Sequence, residues 1–399
     1  MPFSFPTEPI REGAAEVVVP KLEAFKRGAW DYAPSRAPVF YNPVMKLNRD
    51  VAVLVLRAYQ RKAGRRLSVS EPLAGCGVRG IRFAKEVTGV RRVHLNDISP
   101  KAVKMIQYNV QLNKLAGRVS VNSEDANLFL SRHAAPYRRF DYIDVDPFGA
   151  PTHYLDSAIR ALRNGGLLAL TATDLAPLCG VYPKAALRKY GGLPLRTEYC
   201  HELAVRLLSG CLVATAARHE IGLSMLFSHS ANHYVRIYGL ASYGARKADE
   251  SLKKMGYIHH CFTCYRREIV TGTVSAAKER CPECNSPLKT AGPLWTGNLS
   301  ERKLCELVEE EAARRVTKPK DRLTKLLALI KAESGAPATY YVVDKICDKL
   351  NLPIPPLRDI IVGLTEKGYE TVATHFHSRG FKTNAPAKTV IEAVRERVL

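Results

Sequence analysis

Asp146-Pro147-Phe148-Gly149 closes an apolar run with a carboxylate, a proline and an aromatic ring. That combination suits work on an amino group attached to a base. The lone pair of such an amine is delocalised into the ring, so it is a poor nucleophile. A carboxylate accepting one of its N–H groups draws the lone pair out of conjugation and can later take the proton. The proline constrains the turn and directs the preceding carbonyl inward. The Phe148 ring offers a plane on which a base can stack in line with an electrophile. Asp144 shares the face of Asp146 by strand alternation and reads as a supporting residue. Asp-Pro is also frequent in ordinary strand-ending turns, so the tetrapeptide gains its weight from what precedes it.

Upstream, Gly75, Gly77 and Gly80 stand in G-x-G-x-x-G spacing directly after a short strand-like run. Glycines there permit a tight turn and a close ligand approach. Asp97 ends the next strand 22 residues past Gly75, where a carboxylate can bind both hydroxyls of a ribose. Taken alone, this suits a dinucleotide dehydrogenase as well as a methyltransferase. Glu71, four residues before Gly75, tips the choice. A fixed anion there suits a ligand carrying a sulfonium and an ammonium, such as S-adenosylmethionine, and would repel a pyrophosphate. Arg79 could pair with that ligand's carboxylate. A third strand also ends in an acid, Asp125, placed to accept from an adenine amine. Each acid alone could be a solvated strand end; three successive strands ending over one crevice are harder to dismiss.

Cys261-x-x-Cys264 and Cys281-x-x-Cys284 lie 16 residues apart. Four thiolates in that spacing close a tetrahedral structural Zn2+ site and leave no open position for catalysis. Two pairs without a surrounding redox fold argue against thiol–disulfide chemistry. The other cysteines, Cys76, Cys179, Cys200, Cys211, Cys305 and Cys347, read as reduced thiols of an intracellular, cytoplasmic protein. His259 and His260 read as surface residues. Tyr265, Arg266 and Arg267 beside a knuckle could touch phosphate, and so could His375, Arg379 and Lys382 in a basic ribbon near the C-terminus.

These groups must be positioned by elements. Between about residues 50 and 240, strand-like and helix-like runs alternate: RLSVSE, RRVHLND, RVSVNSED, FDYIDVD and GGLLALTATD are strands. A long helix from about Thr197 to His219 and two more strands, GLSMLFSHS and HYVRIYGLA, follow. Ser99-Pro100 marks a helix start. The fold class is α/β, a Rossmann-like, mostly parallel seven-stranded sheet. Beyond Leu240 the pattern changes to a smaller α+β part. YGARKADESLKKMG reads as a linker, a zinc ribbon covers about 257–296, and a charged helix runs from about Ser300 to Arg315. Three short helices with a wing-like ribbon suggest a winged-helix module over about 320–399. The expected division is therefore 1–240 for chemistry and 241–399 for RNA binding.

At 399 residues, with 46% hydrophobic and 8% aromatic, the chain can bury more than one core and is not a disordered one. Lys and Arg number 60 against 38 Asp and Glu; of the formal +22, +14 falls up to Leu240 and +8 beyond it. Both parts could therefore face a polyanion. The N-terminal residues MPFSFPTEPIREG lack the pattern of a signal peptide, and an uninterrupted run of transmembrane length is absent. A membrane is not expected, and no protein partner is implied.

The tetrapeptide is similar to the D/N-P-P-Y/F motif of amino-methyltransferases. PVFYNPVMKLNRD (Pro38 to Asp50), GVRGIRF, LNDIS, EDAN, DVDPFGAP, ATDLAPLCG and THF…GFKTNAP, in that order, together resemble the tRNA guanine-26 N2-dimethyltransferase family over nearly the whole chain. The resemblance implies a seven-stranded methyltransferase domain, a family-specific C-terminal domain, S-adenosylmethionine as cofactor, and one or two methyl groups placed on one guanine amine of tRNA. It implies that Arg49 and Arg79 hold the cofactor along the Gly75–Gly77 turn, with Asp97 and Ile98 at its ribose and Asp125 and Ala126 at its adenine. Asp146 would be the catalytic carboxylate, and Phe40 and Phe148 would stack on the base. Leu175 stands where some members carry smaller residues, which bears on the local loop. Position 26 is inside folded tRNA, so the base must be flipped at a cost of a few kcal/mol, about what stacking and backbone contacts can offset.

Three readings stand beside this one: a methyltransferase acting on guanine N2 or adenine N6 elsewhere in RNA, a non-catalytic zinc-ribbon RNA-binding protein, and a nicotinamide dehydrogenase. The last leaves Asp146-Pro147-Phe148-Gly149 and the charge excess unexplained.

Overall fold

A computed structural model describes residues 3–28, 33–272, 279–314 and 322–398. Met1 and Pro2, Arg315 at the end of the expected charged helix, Lys320 and Asp321 at the start of the expected C-terminal module, and Leu399 lie outside the described residues.

An N-terminal antiparallel hairpin, β1 (Thr7–Glu12) and β2 (Ala15–Pro20), precedes the elements read from the sequence. The sheet strands follow: β3 (Leu67–Glu71), β4 (Val90–Asn96), β5 (Val119–Asn122), β6 (Phe140–Val145), β7 (Leu162–Ala172), β8 (Ile221–Ala231) and β9 (Tyr234–Tyr243). Their order is β5-β4-β3-β6-β7-β9-β8. β3 pairs in parallel with both β4 and β6, β4 with β5, and β8 pairs antiparallel with β9. The expected seven-stranded, mostly parallel sheet is therefore present. All six residues of β6 are buried, as a strand covered on both faces requires. Its acids need partners for that, and Asp141 accepts from Arg65 (2.9 Å), Arg163 (3.0 Å) and the Ser68 N–H (2.8 Å). Ser99 caps the helix Pro100–Leu112 by accepting from the Ala102 N–H, as its sequence announces.

By compactness the chain falls into two units, residues 1–147, 154–169 and 310–319, and residues 148–153, 170–309 and 320–399. In the second, the helix Cys200–Ala217 packs so closely on the chain around Leu294 that a Cβ at Gly210 would lie 3.1 Å from Leu294 Cα. It is long and apolar enough to cross a membrane, yet 67% of it is buried inside the protein. It also carries the ion pair Glu202–Arg206 (2.8 Å), with both side chains buried. These are the marks of a core helix.

β10 (Met255–His260), β11 (Arg267–Thr271) and β12 (Lys289–Trp295) form an antiparallel sheet in the order β11-β10-β12. The polar stretch expected to be a linker instead folds as the helix Ala245–Leu252. Its Ser251 is buried and accepts the Leu223 N–H at 2.8 Å. Three helices, Arg322–Ala332, Val343–Leu350 and Leu357–Glu366, are found where they were expected. The ribbon beside them is a three-stranded sheet of β13 (Tyr341–Val342), β14 (Thr371–Ala373) and β15 (Gly380–Thr383) in the order β13-β15-β14. A closing helix, Ala387–Glu396, completes a core around Ile346, Ile360, Leu364, Phe381 and Val390.

Several cations expected on an RNA-facing surface turn inward. Lys382 is 3% exposed and lies 2.8 Å from Glu202 and 3.8 Å from Glu333. His375 bonds Glu333, and Arg379 pairs with Asp344 at 2.5 Å. Arg267 is packed over the rings of Tyr199 and Tyr341 and paired with Glu198, while Tyr265 donates to the Lys345 carbonyl and Arg266 pairs with Glu283. His259 and His260 are buried, not on the surface, and bond Thr290 and Tyr199. For Lys382, His375 and Arg267 the reason is that Glu202, Glu333 and Glu198 are buried and must each be answered by a nearby cation or donor, whereas Arg266 and Arg379 pair with part-exposed acids nearer the surface.

Candidate active site

Gly75 and Gly77 adopt φ of +57° and +79°, the left-handed region that side chains disfavour. A Cβ on Gly75 would also lie 2.9 Å from the Phe40 carbonyl oxygen. The turn holds Asp97 in place, since its carboxylate accepts from the Gly75 N–H (2.8 Å) and the Ser99 N–H (2.9 Å). Beside it Ile98 is 66% exposed. Asp125 caps the helix Ala126–Arg132 through one oxygen, accepting from Asn127 (2.9 Å) and Leu128 (3.1 Å), and is itself exposed while Ala126 is buried. The carboxyl ends of β3, β4 and β5 thus present a glycine turn, a half-buried acid and an exposed acid. Both acids are anchored by one set of lone pairs and offer others to the hydroxyls of a ribose or the amine of an adenine. The strand order reverses between β3 and β6, and the crevice at such a switch point is where open α/β sheets bind ligands.

The expected cofactor arginines are buried. Arg49 pairs with Glu12 at 2.6 Å and donates to the Asn42 carbonyl at 3.1 Å. Arg82 joins the same cluster through Glu12 (2.9 Å), Asp50 (2.7 Å) and Glu86 (2.8 Å). Arg79 is 3% exposed. Its guanidinium bonds Asp146 closely and Asn48 at 2.8 Å, and lies 3.4 Å from Glu71 and 3.5 Å from Asp144. Glu71 also accepts from the Gly80 N–H at 3.0 Å. Burial pushes its pKa up to about 8, reinforced by Asp144 and Asp146 and opposed by Arg79. The acid read as a fixed anion therefore keeps its proton through neutral pH.

A pH effect on stability follows. The folded chain holds on Glu71 a proton that the unfolded chain, at a pKa of 4.5, releases. This contribution is present below pH 4.5 and is lost as pH rises through about 8. Glu71→Gln has no such dependence. Its unfolding free energy should gain on that of the natural chain by about a few kcal/mol between the two values. Urea unfolding at a series of pH values measures this, and a constant difference across the range would contradict it.

At the end of β6, Asp146 has a side chain 16% exposed and held by Arg79. Asp144 is fully buried and accepts from the Tyr142 hydroxyl at 2.8 Å. Pro147 is half-buried and Phe148 is 63% exposed. Gly149 is clasped from both sides, its N–H donating to Thr173 Oγ1 (2.8 Å) and its carbonyl accepting from the Thr173 N–H (3.0 Å). An anchored carboxylate next to an accessible ring is what positioning a base amine requires. Phe40 is half-buried beside the glycine turn. Glu12, Asn48, Asp50 and Thr173 were not singled out from the sequence. Asn48 and Asp50 flank Arg49 in the quoted NRD motif, and Thr173 opens TDLAPLCG, whereas nothing in the sequence around Glu12 marks it.

The four zinc-spacing cysteines converge, with sulfurs within 4.8 Å of one another. Cys261 meets Cys284 at 3.4 Å and Cys264 meets Cys281 at 3.5 Å. The two knuckles are built alike. Tyr265 N–H bonds Cys261 O at 3.0 Å and Asn285 N–H bonds Cys281 O at 2.8 Å, each residue at positive φ (61° and 56°). Four convergent soft donors suit a closed tetrahedral Zn2+ site.

Over residues 13–395 the chain matches the family model described as N2,N2-dimethylguanosine tRNA methyltransferase. The tRNA (guanine(26)-N(2))-dimethyltransferase of Methanothermobacter thermautotrophicus is 42% identical over 378 residues, 94% of this chain and 95% of that one. The tRNA (guanine(26)-N(2)/guanine(27)-N(2))-dimethyltransferase of Aquifex aeolicus is 37% identical over 392 residues, 98% and 96% of the two chains. Among solved structures, the complex of Trm1 from Pyrococcus horikoshii with S-adenosyl-L-methionine superposes with a TM-score of 0.84 at 34% identity, covering 97% of this chain and 99% of that one.

Proposed function

Since the chain belongs to the N2,N2-dimethylguanosine tRNA methyltransferase family, we propose that it transfers methyl groups from S-adenosylmethionine to the exocyclic N2 of guanine 26 in tRNA. The observation that carries this is Asp146: a carboxylate at the end of β6, beside the strand-order reversal, held by Arg79 and followed by the exposed ring of Phe148.

When bound, S-adenosylmethionine supplies an electrophilic methyl on a sulfonium. The residues present suit it. The tight turn at Gly75 and Gly77 borders the crevice, Asp97 with Ile98 takes the ribose, and Asp125 with Ala126 takes the adenine. Burial of Arg49 and Arg79 gives those two a different part. Arg49 fixes Glu12 and the Asn42 carbonyl, so it shapes the crevice from behind. Arg79 aims Asp146 and offsets the acids around it. Asp146 accepts an N–H of the guanine amine, drawing its lone pair out of the ring, and then takes the proton. Pro147 fixes the turn, and Phe148 and Phe40 stack on the base, offsetting the few kcal/mol, in order of magnitude, that flipping costs.

Residues 1–240 then carry the transfer and 241–399 bind tRNA, with Zn2+ on Cys261, Cys264, Cys281 and Cys284 shaping the ribbon at about 257–296. The formal excess of 22 positive charges supplies the attraction for phosphate. We place the enzyme in the cytoplasm.

The test is labelled methyl transfer onto matched tRNA transcripts with guanine or adenine at position 26. Incorporation should require the guanine. Equal labelling of both transcripts would overturn the assignment of the base, and no labelling of either would overturn the enzyme reading.

A further inference from the structure

The transfer chemistry uses no thiol, yet two cysteines and a histidine meet in the second compact unit. Cys179 follows the short helix Leu175–Leu178, five residues beyond Asp174, in the segment whose Thr173 clasps Gly149. Cys200 and His201 open the helix Cys200–Ala217. The two sulfurs and an imidazole nitrogen lie within 4.8 Å of one another. All three residues are half-buried. The start of the helix Cys200–Ala217 is fixed, since the Cys200 N–H donates to the Thr197 carbonyl at 3.2 Å.

We infer that Cys179, Cys200 and His201 form a second metal site, for a soft divalent cation such as Zn2+, separate from the four-cysteine ribbon. Two thiolates and one imidazole are the donors that borderline-soft ions select. Three protein ligands leave a fourth position for water. The two sulfurs come from segments well separated in sequence, as they do in a metal staple. The Cys179 segment is already packed tightly, since a Cβ at Gly180 would lie 2.7 Å from the Arg196 backbone nitrogen. A metal here ties the segment that holds Gly149 to the core helix of its unit, so the site acts as a positioning device for Phe148 and Gly149. The inference does not depend on which base is methylated.

Elemental analysis of the full chain, loaded with Zn2+ and passed over a chelating resin, tests it. The natural chain should retain about two ions. Cys200→Ser and His201→Ala should each retain about one, and Cys264→Ser, which opens the ribbon site, should also retain about one. One ion per natural chain, undiminished in Cys200→Ser, would overturn the site. So would a Cys179–Cys200 disulfide found by mass spectrometry in freshly isolated protein lacking a second ion. Should Cys200→Ser fail to fold, cobalt titration of the natural chain decides the matter. Thiolate-to-metal absorption saturating at about two equivalents supports the site, and saturation at about one overturns it.

Discussion

Asp146→Ala should lower the single-turnover rate of methyl transfer by about two to four orders of magnitude while leaving cofactor binding nearly intact. In the proposed transfer the carboxylate is the acceptor for the amine proton, and neither neighbouring acid is free to replace it. Asp144 is fully buried and committed to the Tyr142 hydroxyl, and burial keeps Glu71 protonated until about pH 8. The fold should survive the substitution, because Arg79 retains Asn48 at 2.8 Å, Glu71 at 3.4 Å and Asp144 at 3.5 Å. Asp146→Asn keeps the shape and one acceptor oxygen but cannot take the proton, so its rate should fall nearly as far. Rapid-quench kinetics gives the rate and calorimetry with S-adenosylmethionine gives the binding. Joint loss of rate and binding in Asp146→Asn would mean that the residue serves the cofactor, and an unchanged rate would remove it from the chemistry.

The second large effect is on stability. Lys382→Met should cost about 3–5 kcal/mol, because it strips a buried cation from two buried carboxylates. Burial alone would push Glu202 up; Lys382 and Arg206 outweigh it and hold the carboxyl at about 2. Glu333 is likewise held below the usual range against its burial, by His375 first and then by Lys382. Lys388, exposed on the closing helix, is the control, and Lys388→Met should change stability by about 0.5 kcal/mol or less. Urea unfolding of the two variants makes the comparison. If Lys382→Met weakened tRNA binding with an unchanged unfolding midpoint, the lysine would be an RNA contact after all.

Much of the fold was legible because its signals are local. Apolar runs of strand length, Ser99-Pro100 before a helix and the glycine turn each act over a few residues, so β3 to β9 appear where the sequence put them. Paired C-x-x-C spacing is local too, and each knuckle closes through a bond between residues four apart, Tyr265 to Cys261 and Asn285 to Cys281. The hairpin Thr7–Pro20 and the helix Ala245–Leu252 escaped, being short or polar and held by contacts to distant residues, Asn109 and Asn113 for the hairpin and Leu223 for the helix.

For the site, the sequence alone determined which residue types stand at the strand ends: Asp97 and Asp125 beside the glycine turn, and Asp146 with Phe148 after β6. It could not tell which charges would be spent on one another. Whether an arginine faces a ligand or a buried acid depends on residues brought together from far along the chain. Arg49 meets Glu12 across 37 positions, Arg79 meets Asp146 across 67, and Lys382 meets Glu202 from another element altogether. Desolvation makes an unpaired buried charge intolerable, so each of these pairings is set by tertiary packing. So is the meeting of Cys179, Cys200 and His201.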